Sequence, residues 1–329
     1  MRNWLLPEAI DDVLPDEARR LEALRRALLD HFATRGYRLV RPPLIEHLGS
    51  LLTGSGRDLD LQTFKAVDPL SGQLVGVRAD ITPQVARIDA HLLNEPGPTR
   101  LCYAGSVLRA VAGGPGASRE IVQVGAELFG VPDADGDREV IALLLSSLAA
   151  AGVAAIHLDL GHVGVYRALA AGAGVADETD LFDALRTKDL PTVHAITKGL
   201  PKAWRDALAA LPALYGPARE VLDAARTQLP DIPAITNALS TLDALAAAAG
   251  PDVALTVDLA DLRGYHYHNG VIFAVFAAGE PTALGKGGRY DGIGKAFGRA
   301  RPATGFTLDL RELADRLARA PIMTSSLQR

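Results

Sequence analysis

The sequence predicts a mixed α+β fold in which a helical segment interrupts a β-sheet. Strand-like segments bounded by glycine or proline occur before residue 161 and return after residue 251. Between them, in 162–250, alanine dominates and helical segments are separated by prolines. This order indicates one discontinuous domain, 1–161 with 251–320, that carries a helical insertion at 162–250.

The individual elements follow from the spacing of apolar residues. Apolar residues recur at helical spacing in 16–35, and Gly36 stands where a helix C-cap belongs. A strand is expected at 37–40, before two prolines. Similar patterns predict further strands at 74–79, 101–109, 120–128, 153–160, 253–259, 271–277 and 303–309. One helix is expected to follow the strand near Arg78 and to end at about His91. Further helices are expected at 138–151, 203–211, 217–228, 234–249 and 310–319.

Composition and charge favour a soluble, cytoplasmic globular protein. Of the 329 residues, 48% are hydrophobic and 22% charged, and the net charge of −5 argues against a surface built for nucleic acid. Cys102 is the single cysteine, which excludes an intrachain disulfide and a cysteine-rich metal site. The uncharged run 140–158 has the length of a membrane span, but Gly152 interrupts it, so a buried helix and a core strand are expected instead. The N-terminus has no apolar stretch of signal-peptide length.

Asp80 and Thr82 follow the strand near Arg78 and form the first candidate binding pair. A carboxylate and a hydroxyl two residues apart can face one cavity and receive an ammonium group. Both residue types also cap helices, and a helix is expected to follow. The sequence leaves both roles open, with capping favoured from spacing alone.

A predicted hairpin carries the second group of polar residues. Arg109 ends its first strand, a glycine-rich loop follows, and the second strand carries Gln123 and Glu127. These two lie four residues apart and therefore on one face of the strand, with Gly125 between them leaving room for an approach to the backbone. If the side chains of Gln123 and Glu127 are buried, they need polar partners, and a polar ligand can supply them. The alternative is a solvated hairpin face.

Two further segments invite a metal or phosphate interpretation. His266 and His268 share one face if their segment is an extended strand, but Asp261 is the single nearby carboxylate, so no metal site is expected. Residues 285–292, Gly-Lys-Gly-Gly-Arg-Tyr-Asp-Gly, form a glycine-rich segment that lacks the Gly-Lys-Ser/Thr ending of a P-loop. This segment indicates only close backbone approach.

These segments together resemble the catalytic core of histidyl-tRNA synthetase, and more closely the noncatalytic ATP phosphoribosyltransferase regulatory subunits. The resemblance covers residues 5–320. Its most specific parts are the opening Leu6-Pro7 and 11–15, the motif 1 segment around Gly36–Pro43, the segment 78–87, and a motif 2 whose spacing from Arg109 to Gln123 has no gap. The resemblance implies a class II synthetase-like core, an antiparallel sheet flanked by helices.

The same resemblance implies a histidine pocket. By position, Asp80 and Thr82 match the residues that contact the α-amino group of the bound histidine. Arg109 matches an arginine near the histidine carboxylate, and Gln123 matches a glutamine that contacts the histidine backbone. Glu127 matches a glutamate of the pocket, where its carboxylate can accept an imidazole N–H. Candidate residues that close the pocket are Arg263, Tyr267 and His268, the last in place of a tyrosine.

The nucleotide side departs from the synthetase pattern. Val111 replaces the motif 2 glutamate and Ala117 replaces the arginine that reaches the γ-phosphate. Glu312 replaces the motif 3 arginine, and Asp309 replaces a glycine beside adenine. Because polyphosphate binding depends on cationic clamps, these changes predict loss of amino acid activation.

The resemblance therefore implies a noncatalytic regulatory subunit without cofactor or metal. Its expected partner is a short-form catalytic ATP phosphoribosyltransferase, which starts histidine biosynthesis, and L-histidine is a possible effector. We expect a homodimer within a hetero-oligomer, no tRNA binding, no membrane association and no anticodon-binding domain. The alternative is a working histidyl-tRNA synthetase or histidine-activating ligase.

Overall fold

The computed structural model describes residues 5–53, 57–114, 116–175, 178–250, 253–265 and 267–319. The helices are α1 Pro15–Thr34, α2 Leu48–Leu51, α3 Arg57–Gln62, α4 Thr82–Arg87, α5 Ala134–Ala150, α6 Val163–Ala173, α7 Thr179–Arg186, α8 Leu190–Thr197, α9 Lys202–Ala210, α10 Ala218–Gln228, α11 Pro233–Ala248 and α12 Leu310–Arg319. The strands are β1 Arg38–Leu39, β2 Ile45–His47, β3 Phe64–Val67, β4 Leu74–Val77, β5 Thr99–Leu108, β6 Glu120–Phe129, β7 Ile156–His162, β8 Tyr215–Pro217, β9 Ala254–Asp258, β10 Val271–Ala277, β11 Ala283–Arg289 and β12 Ala303–Asp309.

Nine strands form the main sheet in the order β1-β5-β6-β12-β11-β10-β7-β9-β8. Neighbouring strands are antiparallel except β1 with β5 and β7 with β9, which are parallel. The antiparallel sheet flanked by helices is confirmed. A second small sheet has the order β2-β4-β3.

One face of the main sheet packs against helices and forms the larger core. On this face Phe306 of β12 meets Phe32 of α1 edge-on, with ring centroids 5.8 Å apart. Leu308 and Val124 on neighbouring strands are fully buried in the same cluster. Full burial of one such side chain contributes roughly 1.5–3 kcal/mol. Helices therefore cover this face, which leaves the opposite face to build a site.

The segment 162–250 is mostly helical, as predicted, and it adds to the main core. Strand β8 within it pairs with β9 at the sheet edge. Leu239 and Leu242 of α11 are buried in the cluster that includes the sheet. Gly172 of α6 lies against the indole ring of Trp204, where a Cβ atom has no room. The division into a core and an insertion stays a prediction.

The glycine-rich segment at 285–292 is largely strand β11, between β10 and β12, and the close backbone approach expected of it is confirmed. A Cβ atom on Gly287 would lie 2.2 Å from the Gly305 carbonyl oxygen, so these glycines allow close strand packing. One predicted element differs: the helix after Arg78 is in two parts, because α4 continues as a π-helical turn, Ile88–Leu93.

The uncharged run 140–158 divides into the end of α5 and the start of β7, as predicted. Among the described residues, no helix is long and apolar enough to cross a membrane.

Candidate functional site

The register of the strands brings polar residues together on the open face of the main sheet. Tyr103, Gly125, Thr307 and Lys286 lie opposite one another on β5, β6, β12 and β11. Residues paired directly across neighbouring strands project from the same face of a sheet. Glu127, two residues from Gly125 along β6, is on the same face. Four strands therefore form the floor of one polar cluster.

Glu127 is buried at the centre of this floor. The Tyr103 hydroxyl donates to its Oε1 atom at 3.1 Å, and the Tyr290 hydroxyl donates to its Oε2 atom. Burial raises the pKa of Glu127 to about 8, against the lowering effect of the Tyr290 hydrogen bond, and the charge of Asp80 adds to the rise. Much of this carboxyl is therefore neutral at pH 7.

Asp80 and Thr82 stand beside this cluster at the start of α4. The Thr82 amide donates to the Asp80 carboxylate at 3.2 Å, as expected of residues at the start of α4. The Thr82 hydroxyl lies 3.2 Å from the Tyr103 hydroxyl, which is 2.5 Å from the Thr307 hydroxyl. The structure thus brings this pair together with Glu127.

Gln123 and Glu127 are both buried, so the alternative of a solvated hairpin face is wrong. The Gln123 side-chain oxygen accepts from the Ile81 amide at 3.0 Å. Gln123 therefore holds the turn that carries Asp80 and Thr82. The space above Gly125 is filled by the Tyr103 side chain, since a Cβ atom there would lie 2.4 Å from the hydroxyl oxygen.

Tyr267 and His268 lie in a turn, not on an extended strand. Both backbone amides donate to the Gly264 carbonyl, at 2.8 and 2.7 Å. The Tyr267 ring stacks on Tyr290 with centroids 5.0 Å apart, so it reaches the surroundings of Glu127. Within the described structure the buried Tyr267 hydroxyl has no hydrogen-bond partner.

The metal alternative gains no support from this turn. Burial lowers the pKa of His268 to about 4, so the charge of its ring does not decide the question, and the surrounding ligands do. His266 lies outside the described residues. Among those described, no group of three or more His, Cys, Asp or Glu side chains is arranged to hold a metal ion.

Arg109 and Arg263 have different surroundings. Arg263 contacts Asp261, its Nε atom donating at 2.8 Å, and its Nη2 atom lies 3.3 Å from Asp159. Acids already neutralise this guanidinium. The Arg109 Nε atom is buried and has no hydrogen-bond partner within the described structure. Of the two predicted arginines, Arg109 is the one with unused donor capacity.

Asp309, on the side where the resemblance predicts the nucleotide, has a structural role at the start of α12. The Asp309 carboxylate accepts from the Arg311 and Glu312 amides at 3.0 and 3.3 Å. Acids are favoured at a helix N-terminus. Burial raises the pKa values of both Asp309 and Glu312. Two carboxyl groups therefore lie where the resemblance predicts the nucleotide side of the site.

The structure also brings in residues that sequence reasoning missed: Tyr103, Tyr290, Thr307 and Lys286. Tyr103 lies in a predicted strand and Tyr290 in the glycine-rich segment, but nothing in their spacing assigned them to Glu127. Thr307 and Lys286 face the site because β11 and β12 pair in this register. That pairing is a tertiary property and leaves no local signal.

Fold and site together define a histidyl-tRNA synthetase-like protein of class II architecture, and a family model described as Histidyl-tRNA synthetase matches residues 9–313. A solved ATP phosphoribosyltransferase regulatory subunit/histidyl-tRNA synthetase from Bacillus halodurans superimposes with a TM-score of 0.84 at 28% identity, over 96% of this chain and 83% of that one.

Curated relatives narrow the family further. The ATP phosphoribosyltransferase regulatory subunit of Ralstonia nicotianae is 60% identical over 95% of this chain and 81% of its own length. The one from Thiobacillus denitrificans is 59% identical over 95% of this chain and 98% of its own length. The chain belongs to the family of ATP phosphoribosyltransferase regulatory subunits.

Proposed function

We propose that the chain is a noncatalytic subunit that assembles with a short-form catalytic ATP phosphoribosyltransferase and supports the first step of histidine biosynthesis. The observation that carries this proposal is the contrast within one site. The amino-acid side keeps Asp80, Thr82 and Glu127 in one hydrogen-bonded cluster. The nucleotide side carries Asp309 and Glu312, which repel a polyphosphate. Such a site favours a bound amino acid and disfavours its activation by ATP.

In this proposal L-histidine is the effector, and Glu127 receives its imidazole. Inhibition then requires histidine to bind one state of the complex more tightly than another. The candidate residues remain those expected from the resemblance: Asp80, Thr82, Arg109, Gln123, Glu127, Arg263, Tyr267 and His268. The Gln123 side chain accepts from the Ile81 amide, and Arg263 is neutralised by Asp261. Both residues are therefore assigned roles in positioning their neighbours.

The proposal also includes a cytoplasmic homodimer within the hetero-oligomer. The short edge strand β1 leaves Leu39 half exposed, and Leu44 and Ile45 just beyond it are equally exposed. Apolar side chains at a sheet edge suit an interface with a second copy. No tRNA is a partner in this proposal, since the net charge of −5 does not suit a phosphate backbone.

Copurification with the catalytic subunit tests the assembly. A tagged chain and an untagged short-form catalytic subunit are expected to elute together, and phosphoribosyl transfer from phosphoribosyl pyrophosphate to ATP is expected to rise when the chain is added. Separate elution with unchanged transfer would contradict the proposal.

A second assay separates this function from that of a ligase. Purified chain with histidine, ATP and labelled pyrophosphate is expected to give no histidine-dependent exchange, because Glu312 and Ala117 replace two phosphate-binding arginines. A working histidyl-tRNA synthetase run in parallel provides the positive control. Measurable exchange by the chain would support the ligase alternative.

A further inference from the structure

Lys286 is a cation at the edge of the polar cluster, and the proposed function does not use it. It lies on β11 directly opposite Thr307 of β12 and Ala274 of β10. The Thr307 hydroxyl is 2.5 Å from the Tyr103 hydroxyl, which also contacts Thr82. The Lys286 side chain therefore rises from the same face as the polar cluster, one strand away from it, and it remains accessible to solvent.

The charges around Lys286 are mostly positive. Burial lowers the pKa of Lys286, and the nearby charges of Arg263 and Arg109 lower it further, while Asp261 acts in the opposite direction. Asp261 is engaged by Arg263. In the part of the chain that the structure describes, no carboxylate lies within ion-pair distance of the Lys286 ammonium, and the Arg109 Nε atom also has no partner.

Two neighbouring cations without a carboxylate partner among the described residues form an attractive site for an anion, because a bound anion relieves their mutual repulsion. The sheet register sets where such an anion lies relative to the other groups. Around Thr307, Asp80 and Thr82 stand on the β5 side, Glu127 lies further along the strands, and Lys286 stands on the β11 side. Three chemically distinct groups thus surround one position.

We propose that Lys286, together with Arg109, binds the carboxylate of an α-amino acid whose ammonium group faces Asp80 and whose side chain faces Glu127. This inference rests on the proposed function and adds a specificity-determining residue to it. The site then distinguishes an amino acid from the corresponding amino alcohol, which keeps the ammonium group and the imidazole but has no carboxylate.

Calorimetry with L-histidine and L-histidinol on the full chain, alone and in complex with the catalytic subunit, tests this assignment. Lys286→Gln is expected to weaken histidine binding about tenfold to a hundredfold, as befits loss of a charged hydrogen bond, and to leave histidinol binding within about twofold. Lys286→Arg keeps the charge and is expected to retain most of the histidine affinity. Lys202→Gln, at an exposed lysine that pairs with Asp206, is the matched control and should change neither affinity.

The outcomes separate this inference from the function on which it rests. Equal loss of histidine and histidinol affinity in Lys286→Gln indicates a structural role and overturns the assignment. So does an unchanged histidine affinity. A third outcome is that Lys286→Gln abolishes phosphate binding while the affinities for histidine and histidinol persist. Lys286 then binds a phosphate instead of a carboxylate, and the assignment is overturned. If the wild-type chain binds neither ligand in either state, the effector function itself fails.

Discussion

Replacing Glu127 with glutamine should change the pH dependence of stability in a predictable direction. Its pKa rises from 4.5 to about 8 on folding, mainly through burial. A carboxyl group with a raised folded pKa is protonated in the native state and ionised in the unfolded state between these two values. Its contribution to stability is therefore fully present below pH 4.5 and is lost as the pH rises towards 8.

The magnitude follows from the size of that shift. One pKa unit corresponds to about 1.4 kcal/mol, so between about pH 5 and pH 8 the wild type should lose roughly 3–4 kcal/mol of stability through this one group. Glutamine mimics the neutral acid and does not titrate. Relative to wild type, Glu127→Gln should therefore gain stability by about that amount as the pH rises over this interval.

Urea unfolding at several pH values and a fixed protein concentration measures this difference. The glutamine amide cannot accept from both Tyr103 and Tyr290, which changes the free energy of unfolding by a constant amount at every pH. The quantity to compare is therefore the slope of the free energy of unfolding with pH. Glu120→Gln, on the same strand but outside the core, is the matched control. A stability difference between Glu127→Gln and wild type that stays constant from about pH 5 to 8 would refute the reasoning.

Three further predictions concern the ligand, the core and the assembly. If the candidate site binds histidine, Glu127→Gln should reduce the affinity for histidine roughly tenfold to a hundredfold in calorimetry. Asp80→Asn should weaken the binding of histidine and histidinol alike. Unchanged affinities in both variants would place the effector elsewhere. Phe306→Ala should lower the free energy of unfolding by about 3–5 kcal/mol, because the ring is buried against Phe32; a loss below about 1 kcal/mol in chemical denaturation would contradict that packing. Light scattering at micromolar concentration should show a dimer, and Leu39→Asp at the exposed edge strand should shift it towards monomer; a wild-type monomer, alone and with the catalytic subunit, would exclude the proposed interface.

The sequence was sufficient for elements whose pattern is local. The predicted strands at 271–277 and 303–309 and the helix at 310–319 coincide with β10, β12 and α12. These segments combine regular apolar spacing with clear ends, so their structure depends little on distant residues. Asp80, Thr82, Gln123 and Glu127 were likewise identified as candidate site residues from spacing and resemblance. Their role in histidine binding stays a prediction.

The tertiary structure decided what depends on strand pairing. In β11, Phe273 and Gly305 on the two neighbouring strands leave no room for a side chain at Gly287, which local sequence could not show. The same pairing sets Lys286 beside Thr307 and surrounds Glu127 with two tyrosines from distant parts of the chain. Burial of that carboxyl, and with it the shift of its pKa, arises only when these strands come together. Local spacing therefore determined which residues could form a site, and long-range packing decided their neighbours and their charge.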